Sequence, residues 1–120
     1  MVDRNCPIGK AAKILGKKWT LEMVFYLQER RRFCELQEIV GGINPVTFTQ
    51  RLKSLERAEI IERYPISAAP RHVEYELTEK GKDLLSVIYG LAAWVHRWYP
   101  DDERENGVQE KEALKRGQSS

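Results

Sequence analysis

The chain has 120 residues, 42% of them hydrophobic, with two cysteines and a formal net charge of +2. That length suits one small domain, no stretch approaches the roughly 20 apolar residues of a membrane span, and no charged-then-apolar run with a cleavage site marks a secretory signal. Two cysteines without such a signal fit a cytoplasmic chain with reduced thiols. The charge is uneven: residues 1–60 hold 11 Lys+Arg against 7 Asp+Glu, residues 61–100 hold five of each, and residues 101–120 hold 4 against 6. A basic first half is compatible with a nucleic-acid face, and equally with a plain solvated surface.

In chain order, Pro7 suits the first turn of a helix. Ile8, Ala11, Ala12 and Leu15 share one face of it, and Gly16 is a suitable stop. A second helix is expected from about Trp19 to Glu29, with Arg30, Arg31 and Arg32 at its negative end. Phe33 is read as a very short strand, and Cys34–Val40 as a third helix broken by Gly41 and Gly42. Asn44 is a good N-cap and Pro45 a good first helical residue for a fourth helix running to about Ala58. Ile60–Tyr64 and Val73–Leu77 alternate as half-buried strands should. The proline-bracketed segment Pro65–His72 between them reads as a protruding loop. Thr78 can cap a long fifth helix to about Tyr99, which completes a domain over residues 1–99; residues 100–120 read as a flexible polar tail. The expected fold is mostly α with a small two- to three-stranded antiparallel sheet. Two helices about a glycine turn, followed by a two-stranded wing, make a winged helix-turn-helix.

The fourth helix carries the sharpest pattern. Phe48, Leu52 and Leu55 share a face that must be buried. The opposite side holds Val46, Gln50, Lys53 and Arg57, flanked by Thr47, Thr49 and Ser54. Gln matches adenine edges, Thr and Val meet the thymine methyl, and Lys reaches guanine or phosphate. No acidic residue occurs from Asn44 to Leu55. An ordinary surface helix usually mixes both signs, so a recognition helix is the favoured reading. Arg71 at the loop tip suits a negative minor groove, and Arg51, Lys17, Lys18 and Arg30–Arg32 are further phosphate candidates; each is otherwise a plain surface charge.

The motifs Cys6-Pro7, Gly16-Lys17-Lys18-Trp19-Thr20, Arg32-Phe33-Cys34-Glu35-Leu36, Ile43-Asn44-Pro45, Thr49–Glu56 and Val73–Thr78 follow one another over residues 6–98. In that order the chain resembles the HxlR-type, MarR-like transcription regulators. The resemblance implies a dimeric winged helix that binds palindromic operator DNA. Two departures stand out: Lys17 where a second glycine is commoner, and His72 inserted between Pro70-Arg71 and Val73, which leaves open whether Arg71 or His72 faces DNA. Some members of the family sense oxidants or electrophiles through a cysteine at the place of Cys6. Helix-start amides and nearby cations favour a reactive thiolate, so Cys6 is a candidate redox sensor; the alternative is a small residue packed at a dimer seam.

The fifth helix supports pairing on composition alone. Leu84, Leu85, Val87, Ile88, Leu91, Ala92, Trp94, Val95, Trp98 and Tyr99 make it apolar round most of its circumference, whereas one small core needs a single stripe. A second copy, meeting it through the first and last helices, is the economical cover, with Ile8, Leu15, Leu84, Ile88, Leu91, Val95 and Trp98 as the interface set. Two copies would set two recognition helices about 34 Å apart, one turn of DNA. The expected partners are double-stranded DNA and a second copy, with a small-molecule or redox effector in addition. The alternative function is a winged-helix protein-interaction module without DNA. An enzyme is not expected: there is no glycine-rich phosphate loop, no Ser-His-Asp arrangement and only two histidines, His72 and His96. Neither a cofactor nor a metal is expected, since no paired Cys or His spacing is present.

Overall fold

A computed structural model of the chain describes residues 6–69 and 72–100. In chain order its elements are α1 (Pro7–Leu15), α2 (Thr20–Tyr26), β1 (Arg31–Arg32), α3 (Phe33–Val40), α4 (Pro45–Arg57), β2 (Ile61–Pro65), β3 (Val73–Leu77) and α5 (Glu79–Trp98). The three strands form one antiparallel sheet in the order β1-β3-β2. Its register places Ile61 opposite Leu77 and Arg63 opposite Tyr75, and Arg31 opposite Tyr75 on the other edge. The expected mostly-α fold with a small antiparallel sheet is the one observed. The chain divides into two units, residues 1–85 and 86–120, with the division inside α5. The expected polar tail, residues 100–120, lies outside the described residues except for Pro100.

The first unit is built on a core of α2, α3, α4 and the inner face of the sheet. Met23 and Val24 of α2, Leu36 of α3, and Phe48, Leu52 and Leu55 of α4 are almost wholly buried. Val73, Tyr75 and Leu77 add the inward side of β3, as a period-two strand with one covered face requires. The Phe33 and Phe48 rings meet edge-on, 5.0 Å between centroids and 71° between planes, a favoured aromatic geometry. The start of α5 is tied to this unit through Thr78. Its hydroxyl accepts from the Gly81 amide at 3.1 Å and donates to the Glu59 carbonyl at 2.6 Å. Gly81 is required there, because a Cβ at this position would overlap the Ile60 carbonyl oxygen.

Two boundaries differ from the sequence reading for local physical reasons. α2 ends at Tyr26 rather than near Glu29, because other groups satisfy its last carbonyls. Gln28 Nε2 donates to the Phe25 carbonyl (3.1 Å) and Arg31 Nε to the Tyr26 carbonyl (2.6 Å). The short strand is Arg31–Arg32, not Phe33, which opens α3 instead. The Arg32 amide donates to the Glu35 carboxylate at 2.9 Å, one half of a capping box.

In the second unit, residues 86–98 of α5 are exposed on most sides. Val87, Leu91, Trp94 and Trp98 are 53%, 46%, 49% and 64% exposed. Spaced four, three and four apart, they form one apolar stripe. Among the described residues, no helix is long and apolar enough to cross a membrane.

Candidate nucleic-acid interface

The turn into α4 is set by Gly41 and Gly42, both with positive φ (65° and 69°), a conformation that favours glycine. Ile43 then plugs into the core. Asn44 caps the helix: its Oδ1 accepts from the amides of Val46 (2.8 Å) and Thr47 (3.4 Å). Pro45 fills the first helical position, where no amide donor is needed.

With Phe48, Leu52 and Leu55 locked inward, the outward residues are fixed. Val46, Gln50, Lys53 and Arg57 are all exposed and fall within about 60° of arc at 100° per residue. Thr47, Thr49, Arg51 and Ser54 flank them, half-buried. The set expected from the sequence is thus brought to one surface, and Gln50 and Lys53 point away from the interior.

The strip runs between two grooves. Toward the wing, Thr49, Lys53 and Glu56 join Phe33, Arg63, Val73 and Tyr75 around a groove of about 350 Å³. Within it the Tyr75 phenol is pushed above its ordinary pKa by burial first and the Glu56 carboxylate second, against the pull of the Arg63 guanidinium. Toward α1, Arg51, Ser54, Arg57 and Ala58 join Lys13, Ile14, Lys17 and Thr20 around a groove of about 300 Å³. Arg51 Nε donates across it to the Lys18 carbonyl at 2.9 Å. Lys13 and Arg63 were not singled out from the sequence. The only available signal for Lys13 was its spacing of four from Lys17, on the side of α1 away from Ile8 and Leu15.

Two other expectations look different in the structure. Arg30 is not a free phosphate ligand: it pairs with Glu74 at 2.5 Å and Glu76 at 3.8 Å, and its guanidinium lies over the Tyr64 ring, 4.2 Å from the centroid. Arg31 is engaged in closing α2. The outer face of the sheet carries Glu62, Glu74 and Glu76, the last two paired with Arg30. Partial desolvation first, and then Glu62 and Glu76, raise the Tyr64 phenol above its ordinary pKa, against the pull of Arg30. Arg71 lies outside the described residues. His72 is exposed and its Nδ1 is 2.9 Å from Ser67 Oγ, a contact within the loop itself.

Of the proposed pairing residues, Ile8 is 76% exposed, and Leu91, Val95 and Trp98 are also open. Leu15 and Leu84 are half-buried. Ile88 is already buried within the single chain and has little area left to give a partner. Cys6 is half-buried at the N-cap of α1, and Cys34 is exposed; both are free thiols.

A helix, a two-glycine turn, a second helix with an uncovered polar face and a small antiparallel wing define a winged helix-turn-helix protein. The model for HxlR-like helix-turn-helix proteins matches residues 14–103, and the chain belongs to that family, a family of transcriptional regulators. It is similar to the regulator YodB of Bacillus subtilis, 36% identical over 100 residues, covering 82% of this chain and 89% of YodB. It is also similar to YvaP of the same organism, an uncharacterised helix-turn-helix regulator, at 34% identity over 78% of this chain and 88% of YvaP. Among solved structures, a protein assigned to the MarR family from Porphyromonas gingivalis W83 superposes with a TM-score of 0.73 at 30% identity, covering 78% of this chain and 93% of that one. YodB, solved both reduced and quinone-bound, superposes at 0.68, with 35% identity, 78% of this chain, and 94% and 99% of the two YodB chains.

Proposed function

We propose that the protein is a homodimeric repressor or activator that binds a palindromic operator, with α4 lying in the major groove. The observation that carries this reading is the exposed, carboxylate-free strip of Val46, Gln50, Lys53 and Arg57, held outward by three buried residues. Phosphate contacts supply salt-sensitive affinity, and the strip supplies base choice. The apolar stripe of α5 and the uncovered Ile8 face of α1 supply the pairing surface, and chromosomal DNA as partner places the protein in the cytoplasm. The acid-free face of α4 argues against the alternative, a winged-helix module that binds only proteins.

Selection of bound duplexes from a random pool tests the reading. An inverted repeat with half-sites about one helical turn apart is expected. A chain that binds no duplex at low salt would instead be a protein-interaction module.

We further assign Cys6 as the site of a thiol-reactive signal. It sits at the N-cap of α1, beside the proposed pairing face, where a change at sulfur would be felt by the dimer. A quinone or thiol oxidant is expected to release the wild-type protein from DNA and to leave a Cys6→Ser variant bound. Release that persists in the variant assigns the signal elsewhere.

A further inference from the structure

We infer that the groove between α1 and α4 holds backbone phosphates of the DNA strand on the α1 side of α4, opposite the strand on the wing side. The inference rests on α4 being the recognition helix. Four cations line the groove, Lys13, Lys17, Arg51 and Arg57, and none of its lining residues is acidic. The groove on the wing side does contain a carboxylate, Glu56. Other cations of the first unit do have carboxylate partners: Arg30 pairs with Glu74 and Glu76, Arg31 with Glu29, and Lys82 with Glu79. Like charges gathered without a counter-charge repel one another in the free protein, and a run of phosphates removes that repulsion.

The arrangement is held in place. The αL backbone of Trp19 (φ 82°) bends the chain so that the Lys18 carbonyl receives Arg51 Nε, which pins the α1–α2 turn to α4 and orients the guanidinium toward the groove. The Lys18 ammonium lies over the Trp19 ring, 5.0 Å from its centroid. Arg57 belongs both to the outward strip and to the groove, so a duplex seated on the strip continues into the groove without a gap. A helix in the major groove has one phosphate strand on each side of it, and this groove is where the second strand would run. Lys13 lies roughly 150° round α1 from Ile8 and Leu15, so a partner copy covering that apolar face leaves the groove open.

The test measures salt dependence of binding between about 50 and 200 mM salt, the range over which phosphate contacts are resolved, on a random-sequence duplex and on a duplex enriched by selection. The Lys13→Gln/Lys17→Gln double variant is expected to bind both duplexes roughly tenfold more weakly at the low-salt end. Its log–log salt slope should be shallower by about two, with the preference between duplexes unchanged. A Lys82→Gln variant, losing one charge outside the groove, should keep the wild-type slope. A double variant with the wild-type slope overturns the inference while leaving the α4 reading intact. Failure of the wild-type protein to bind either duplex overturns both. Titration with inorganic pyrophosphate gives the remaining arm: tight binding abolished in the double variant, with an unchanged DNA slope, would make the groove a site for a free anion and overturn the strand assignment.

Discussion

Beyond Pro45, the exposed side chains of α4 are Val46, Gln50, Lys53 and Arg57, whereas on α5 they include Val87, Leu91, Trp94 and Trp98. Both helices carry an apolar stripe. That of α4 is Phe48, Leu52 and Leu55, each no more than 2% exposed, so its packing is complete within its own unit and its polar face is left for something other than folding. The stripe of α5 remains open, and a contiguous exposed apolar surface of this kind marks an interaction site. Under the proposed function the two faces divide two tasks, reading a partner through polar side chains and recruiting a second copy through apolar ones. This division can be broken at either helix.

The largest effect is expected at the buried side of α4. Phe48→Ala removes a fully buried ring that also meets Phe33, and should cost about 3–5 kcal/mol in urea unfolding. A loss below about 1 kcal/mol would mean that the core does not hold the outward strip in place. Next comes the open stripe. Leu91→Glu leaves the fold of the chain unchanged but places a charge in the proposed pairing surface, and should weaken dimerisation at least a hundredfold, equivalent to about 2.7 kcal/mol. Sedimentation at micromolar concentration should then report a monomer; an unchanged dimer would move the interface off α5. The smallest effect is at the cap. Asn44→Ala removes the oxygen that accepts from Val46 and Thr47 and should lower stability by about 1 kcal/mol without altering the oligomeric state.

The fold was legible wherever a local rule and burial agreed. Pro7 and Gly16 bound the first helix, and Asn44-Pro45 begins the fourth, as their capping chemistry requires. The three-residue apolar face of α4 could be read from spacing alone. What could not be read depends on side-chain contacts that helix and strand periodicity do not encode. Arg30 looks like a free cation beside Arg31 and Arg32, but its partner Glu74 lies 44 residues further on. The early end of α2 depends on Arg31 reaching back to Tyr26. Lys13 gains meaning only when α1 is laid against α4, a packing relation that periodicity within one helix does not contain. The spacing of α5 gave its apolar excess, but not that Ile88 is buried while Val87 is open.

The central claim is that the outward strip of α4 reads base sequence. Its most direct test compares wild type, Gln50→Ala and Lys53→Ala by gel-shift titration against the selected duplex and single-base variants of it. Gln50→Ala should lose roughly 1–3 kcal/mol of discrimination at one position of each half-site, while Lys53→Ala should weaken binding to all duplexes by a similar factor. Wild-type affinity and wild-type preference in both variants would contradict the claim.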